Sequence, residues 1–182
     1  MSLAIITGSS GLVGSESVNF FSDKGFDVIG IDNNLRKFFF GNDGSTLWVK
    51  KNLQKRNKNF KHLNIDIRNY GGLERIFKKY KKNISVIIHC AAQPSHDYGK
   101  KFPFLDFHVN ATGTLNLLEL TKKFCPNVPF IFMSTNKVYG DTPNKLKIYE
   151  KKTRWELNLK DNNFKGIDEN FSIDNCTHSF FG

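Results

Sequence analysis

The stretch "IITGSSGLVGSES", Ile5–Ser17, decides how the rest of the chain is read. Before it, Leu3–Thr7 is a short apolar run with two isoleucines, ended by Gly8, and reads as a buried strand. After it, Gly11–Lys24 carries a helical period, and Leu12, Val13, Val18, Phe20 and Phe21 are expected to share its apolar face, with Gly25 closing the helix. Gly8, Gly11 and Gly14 fall between strand and helix. Glycine allows a tight turn and a close approach to a pyrophosphate, and the helix N-terminus presents N–H groups and a positive dipole end. Glycines alone fit a structural turn equally well. The strand before and the helix after make a dinucleotide loop the expectation, with Ser10, Leu12 and Val13 as its other members.

Asp32 ends the second strand, Asp27–Ile31, at the position where an acid accepts hydrogen bonds from the ribose hydroxyls of NAD and repels a 2′-phosphate. Arg36 and Lys37 lie close enough to keep NADP open. Working outward, Phe60–Ile65, Ser85–His89 and Phe130–Met133 read as further strands. Tyr70–Lys82 and Phe107–Phe124 read as amphipathic helices, the latter with Leu115, Leu117, Leu118 and Leu120 on its apolar side. Asn33–Asn59 is an insertion in which Ser45–Gln54 is helical. Strands alternating with helices predict an α/β fold: a doubly wound parallel sheet with helices on both faces. Beyond Met133 the pattern fades into a polar stretch. The expected organisation is therefore a nucleotide-binding domain over 1–140 and an irregular active-site segment over 141–182, since so long an irregular stretch in a compact domain is usually functional or disordered.

The formal charge is +10 over 182 residues, from 27 Lys and Arg against 17 Asp and Glu. The lysines are scattered pairs such as Lys50–Lys51 and Lys122–Lys123 rather than one patch, and no nucleic-acid motif accompanies them, so no nucleic-acid partner is expected. Three cysteines without a CxxC spacing argue against a disulfide framework or a metal site and suit a reducing cytoplasm. No apolar run approaches the length of about 20 residues needed to span a bilayer, so no membrane partner is expected.

The GxxGxxG spacing resembles that of the extended short-chain dehydrogenase/reductase superfamily, which implies a Rossmann-like fold. Other stretches agree: "DIR" (Asp66–Arg68), "HCAAQPS" (His89–Ser95) and "FHVNATGTLNLLE" (Phe107–Glu119). The resemblance places Asp66 and Ile67 at the adenine, Ala91, Ala92 and Gln93 close to the cofactor, and Asn110 in the central helix. "STNKVYGDTPN" (Ser134–Asn144), with "TRW", "GIDE" and "HSFFG", is similar to the NAD-dependent sugar-nucleotide epimerases, within them to the CDP-paratose (tyvelose) 2-epimerase group. This implies NAD, a nucleotide-sugar substrate, a homodimer, and catalysis by transient oxidation of a sugar carbon. Thr135 matches the hydroxyl that orients substrate, and Ser134, Asn136 and Lys137 are the substrate candidates. Tyr139 is expected to pack beneath the site. Phe181 occupies the position of the family's catalytic tyrosine, and the lysine four residues on has no counterpart. Phenylalanine cannot take a proton, and tyrosine itself, titrating near 10, needs a neighbouring cation to act as a base. The resemblance therefore implies a fold incomplete at its C-terminal side and a chain that is inactive alone, either the N-terminal part of an epimerase or a catalytically inactive NAD-binding module. A sugar-nucleotide dehydratase or reductase on the same scaffold is the alternative within the enzymes.

Overall fold

The computed structural model describes residues 2–158 and 166–174. The expectation for Phe181 lies outside the described residues. The chain falls into two compact units, one of Met1–Met133 and one beginning at Ser134.

The first unit is built on a five-stranded parallel sheet in the order β3-β2-β1-β4-β5. Its strands are β1 (Leu3–Thr7), β2 (Asp27–Ile31), β3 (Phe60–Leu63), β4 (Ile84–His89) and β5 (Phe130–Phe132). All five β1 residues are buried, because helices cover both sheet faces. Leu3 and Ile5 point into one cluster with Ile29, Ile87, Leu73, Phe77, Leu117 and Leu120. Ala4 and Ile6 point into the other with Val18, Val28, Leu53 and Ile88. Ile5 stands opposite Ile29 on one side and Ile87 on the other, which sets the register at the centre of the sheet.

The helices are α1 (Leu12–Asp23), α2 (Arg36–Phe40), α3 (Leu47–Arg56), α4 (Tyr70–Tyr80), α5 (His96–Lys101), α6 (Pro103–Phe107) and α7 (Gly113–Phe124). Two expectations about helix faces are corrected. The buried stripe of α1 is Gly14, Val18 and Ser22, whereas Leu12 is 87%, Val13 49% and Phe20 56% exposed. A spacing of four residues along this ridge, with two small side chains, lets the helix lie close to the sheet, and close approach rather than apolarity chose the face. In α7 only Leu117 and Leu120 of the four leucines are buried, and Leu115 and Leu118 are exposed. The long helix expected over Phe107–Phe124 is interrupted by a π-helical turn, His108–Thr112, whose wider winding shifts the phase of α7. Asn69 starts α4 by accepting the Gly72 N–H on its side-chain oxygen at 2.9 Å.

The second unit opens with two short 3₁₀ turns, Asn136–Tyr139 and Thr142–Lys145. It then forms an antiparallel hairpin, β6 (Ile148–Glu150) with β7 (Trp155–Leu157), in which Tyr149 faces Glu156. The hairpin is regular structure inside the segment expected to be irregular, 141–182, and the sequence did not show it because strands of three residues are too short to reveal a period of two. Glu156 ties the hairpin together through Lys151 and through Arg154 at 3.1 Å. Among the described residues no helix is long and apolar enough to cross a membrane.

Candidate functional site

Where β1 ends, the chain turns sharply. Gly8 has φ +63°, and a Cβ there would lie 2.7 Å from the Ala91 nitrogen and 2.8 Å from the Cys90 carbonyl carbon. A side chain is excluded on both counts. The Gly8 N–H donates to the Ile31 carbonyl at 2.8 Å, and the Gly11 N–H returns to the Gly8 carbonyl at 2.9 Å. A Cβ on Gly14 would sit 2.0 Å from that same Gly8 oxygen. Helix α1 thus begins against the loop itself, with no side-chain cap on its first turn. Uncapped N–H groups at a helix entrance attract an anion.

Asp32 stands beside this loop at the end of β2. Its Oδ2 accepts the Ser10 N–H at 3.0 Å and its Oδ1 accepts the Asn34 N–H at 2.7 Å. Two backbone donors fix the carboxylate, and each oxygen keeps acceptor capacity for an outside hydroxyl.

Loop, acid and the ends of β3 and β4 enclose a cleft of about 310 Å³. It brings together Gly8, Gly11, Leu12, Val13, Gly14, Asp32, Asp66, Ile67, Ala91 and Ala92 of the residues expected from sequence. The exposed Leu12 and Val13 are accounted for here, as part of the wall. Ser10, Gln93 and Asn110 are not in the lining. The Ser10 side chain is buried while its N–H is spent on Asp32. Gln93 donates its N–H to Asn110 Oδ1 at 2.9 Å and its side-chain amide to Asp106 Oδ1 at 2.7 Å, so this pair shapes the loop behind the wall. The cleft also takes Asn33, Leu35, Arg36 and Thr46 from the insertion, and Ile31, Ile65, Cys90, Pro94 and Val109. No motif marks the insertion residues. Cys90 and Pro94 lie inside the His89–Ser95 motif and Ile65 stands next to Asp66, so all three were within reach of the sequence.

Asp66 is more constrained than its expected adenine contact suggests. Its Oδ1 accepts from the Arg68 N–H and Nε, both at 2.9 Å, and its Oδ2 from Arg68 Nη2 at 2.6 Å and Asn33 Nδ2 at 2.8 Å. Burial pushes its pKa up, but the Arg68 hydrogen bonds and charge and the Asn33 amide outweigh that and hold the carboxyl below its ordinary range. All four acceptor positions are occupied by the protein. Burial pushes the Cys90 thiol up from its ordinary pKa, against a smaller lowering by a hydrogen bond with Ser17.

Ser134, Thr135, Asn136 and Lys137 open the second unit. The Thr135 hydroxyl accepts the Lys137 N–H at 3.2 Å and starts the first 3₁₀ turn. Tyr139 donates its hydroxyl to the Asp168 carbonyl at 3.1 Å and meets Phe171 edge to face at 5.6 Å. Among the described residues no group of three His, Cys, Asp or Glu side chains could hold a metal.

A glycine loop against an uncapped helix, with a pinned acid at the next strand end, is a dinucleotide cradle, and known proteins bear the likeness out. Residues 5–155 match the family described as GDP-mannose 4,6 dehydratase. The chain belongs to that family. It is 35% identical to the CDP-paratose 2-epimerase of Salmonella typhi over 178 residues, 98% of this chain and 48% of the relative. It is 35% identical over 144 residues to the UDP-glucuronate 4-epimerase of Thermodesulfobacterium geofontis, 79% of this chain and 42% of the relative. Among solved structures, the UDP-glucose 4-epimerase of Bifidobacterium longum in complex with NAD⁺ and UDP superposes with a TM-score of 0.65 at 25% identity, covering 90% of this chain and 44% of that one. The dTDP-glucose 4,6-dehydratase of Bacillus anthracis in complex with NAD gives 0.61 at 26% identity, covering 88% and 46%. The chain therefore spans about half the length of the curated relatives it matches. The epimerases and the dehydratase named here share this region, and the fold in common is the doubly wound parallel sheet.

Proposed function

We propose that these residues form the cofactor-binding half of an NAD-dependent sugar-nucleotide epimerase. The observation that carries this is Asp32, whose two oxygens are fixed by the Ser10 and Asn34 N–H groups beside a loop that admits only glycine at Gly8 and Gly14. The residues present fit the cofactor: the first turn of α1 receives the pyrophosphate, Asp32 accepts from the ribose hydroxyls, and the apolar Ile65 and Ile67 border the base. NAD, when bound, supplies a hydride acceptor that can return the hydride to the opposite face of a sugar carbon. The chain's own part is to hold the cofactor and, through Thr135 with Ser134, Asn136 and Lys137, orient the nucleotide sugar. A dehydratase uses the same first half, so the relatives support the nucleotide-sugar class more broadly than the epimerase.

A second reading is an NAD-binding module without turnover. Phe181 favours it, because the residue at the family's tyrosine position has no hydroxyl to accept a proton.

Calorimetric titration of the wild-type chain and Asp32→Ala with NAD and NADP tests the cofactor reading. Loss of charge-assisted hydrogen bonds, each worth about 1.5–3 kcal/mol, should weaken NAD by roughly 10–100-fold and NADP much less. Equal losses for both cofactors remove Asp32 from the ribose role, and a wild-type chain that takes up no NAD refutes the proposal.

A further inference from the structure

Beneath the cleft a chain of hydrogen bonds crosses the sheet. The Ala91 N–H donates to Thr7 Oγ1 at 3.2 Å. Thr7 Oγ1 is 2.7 Å from His89 Nδ1, and His89 Nε2 is 2.9 Å from Thr114 Oγ1. Thr114 donates its hydroxyl to the Asn110 carbonyl at 2.5 Å. Both ends of this chain have fixed polarity, since an amide N–H only donates and a carbonyl only accepts. The Thr114 proton is committed to Asn110, so Thr114 Oγ1 must accept from His89, which places the ring proton on Nε2. Nδ1 is then an acceptor, and the Thr7 hydroxyl donates to it while accepting from Ala91. One neutral tautomer satisfies every group.

The surroundings agree with a neutral ring. His89 is 2% exposed, and the rings of Phe130 and Phe132 lie 6.0 and 5.7 Å away on β5. Burial pushes its pKa down to about 4. Thr7 on β1 and Thr114 on α7 are uncharged, so no counter-ion is among its ring partners.

The two ends of this chain hold one loop. Ala91 packs against Gly8 so closely that only glycine fits, and Asn110, held through its carbonyl, receives the Gln93 N–H on its side chain. Cys90, Ala91 and Ala92, between these anchors, line the cleft. We propose that His89 is a positioning residue for the dinucleotide: fixed as the Nε2–H tautomer between Thr7 and Thr114, it sets the Cys90–Gln93 loop against Gly8 and thereby the floor of the cofactor cleft. This rests on the cofactor reading above.

Nitrogen-15 NMR of the wild-type ring, with NAD titrations of Thr114→Val and Thr114→Ser, tests it. At pH 7 the ring should be neutral with its proton on Nε2. Thr114→Val keeps the shape and removes the hydroxyl, and should weaken NAD about tenfold in the folded protein. Thr114→Ser should bind within about twofold of wild type. A purely structural His89 would lower thermal stability in Thr114→Val and leave NAD affinity of the folded protein unchanged, which overturns the proposal. A wild-type ring protonated on Nδ1 or on both nitrogens overturns it without any variant, so a Thr114→Val chain that fails to fold leaves a decisive readout. Wild-type protein that binds no NAD while showing the expected tautomer fails the cofactor reading, and the positioning role with it.

Discussion

Replacing Gly14 by alanine separates close approach from helix propensity. Gly14 is the third residue of α1 and has an ordinary helical backbone, so alanine should favour the helix by up to about 1 kcal/mol if propensity alone decided. The new Cβ, however, would lie 2.0 Å from the Gly8 carbonyl oxygen, 2.7 Å from the Gly8 carbonyl carbon and 3.0 Å from the Ser9 Cα. These are backbone atoms and cannot rotate away. Restoring an ordinary contact of about 3.5 Å requires α1 to withdraw by more than about 1 Å from the loop. That loosens Val18 from its cluster with Ala4, Ile6 and Val28. Overpacking of this kind costs roughly 1–3 kcal/mol, occasionally more, so after the propensity gain the net expectation is a loss of about 1–2 kcal/mol. Gly71→Ala is the matched control: it also sits in a helix's first turn, and its nearest neighbour is a side-chain oxygen of Asn69 at 3.9 Å. It should be neutral or stabilising by up to about 1 kcal/mol. Urea denaturation of both variants, followed by circular dichroism, gives the stabilities. An NAD titration should show at least a tenfold loss for Gly14→Ala and none for Gly71→Ala. A Gly14→Ala protein as stable as wild type, or equal damage from both substitutions, would refute the reasoning.

The four hydrogen bonds on Asp66 should make it a stabilising acid. Its folded pKa lies below the unfolded value near 3.9, so its contribution is full above that pH and is lost as pH falls through the folded pKa. Asp66→Asn should be about 1–2 kcal/mol less stable at pH 7, with the gap closing below about pH 4; a gap unchanged down to pH 2.5 would contradict this. Among the described residues strand β5 is an edge of the sheet, with Ile131 41% and Phe132 54% exposed. An apolar edge templates pairing between chains, so the protein should self-associate at micromolar concentrations, and Ile131→Lys should reduce that without unfolding it. Light scattering showing a monodisperse wild-type monomer would dispose of the edge argument.

Much of the site is local and was legible in the residues. Strands β1 and β2 have the bounds that their apolar runs and flanking glycines imply, because a parallel strand buried on both faces is an uninterrupted hydrophobic run. The glycine trio and Asp32 could be placed because a phosphate loop needs a strand before it and a helix after it. Most cleft-lining residues therefore lay inside short motifs. The faces of the helices were not legible in the same way. Leu12, Val13, Leu115 and Leu118 are as apolar as their buried neighbours, but the depth of Gly14 against Gly8 and the π-helical turn at His108–Thr112 decided which side met the sheet.

The sequence by itself determined strands β1 and β2, the alternation of strands and helices in the first unit, and the glycine loop between β1 and α1, since each is a pattern among residues within a few positions of one another. Only the tertiary structure decided what joins across distance. The insertion residues Asn33, Leu35, Arg36 and Thr46 reach the cleft because Asn34 Oδ1 accepts the Thr46 N–H at 2.8 Å and α3 packs against β3 and α1. Asp66 is saturated because Asn33, 33 positions earlier, comes alongside it. His89 has one tautomer because Thr7 and Thr114, 82 positions before it and 25 after it, close on its two nitrogens. A hydrogen bond's direction depends on which partners are left for each atom, and that is known only when all of them are in place.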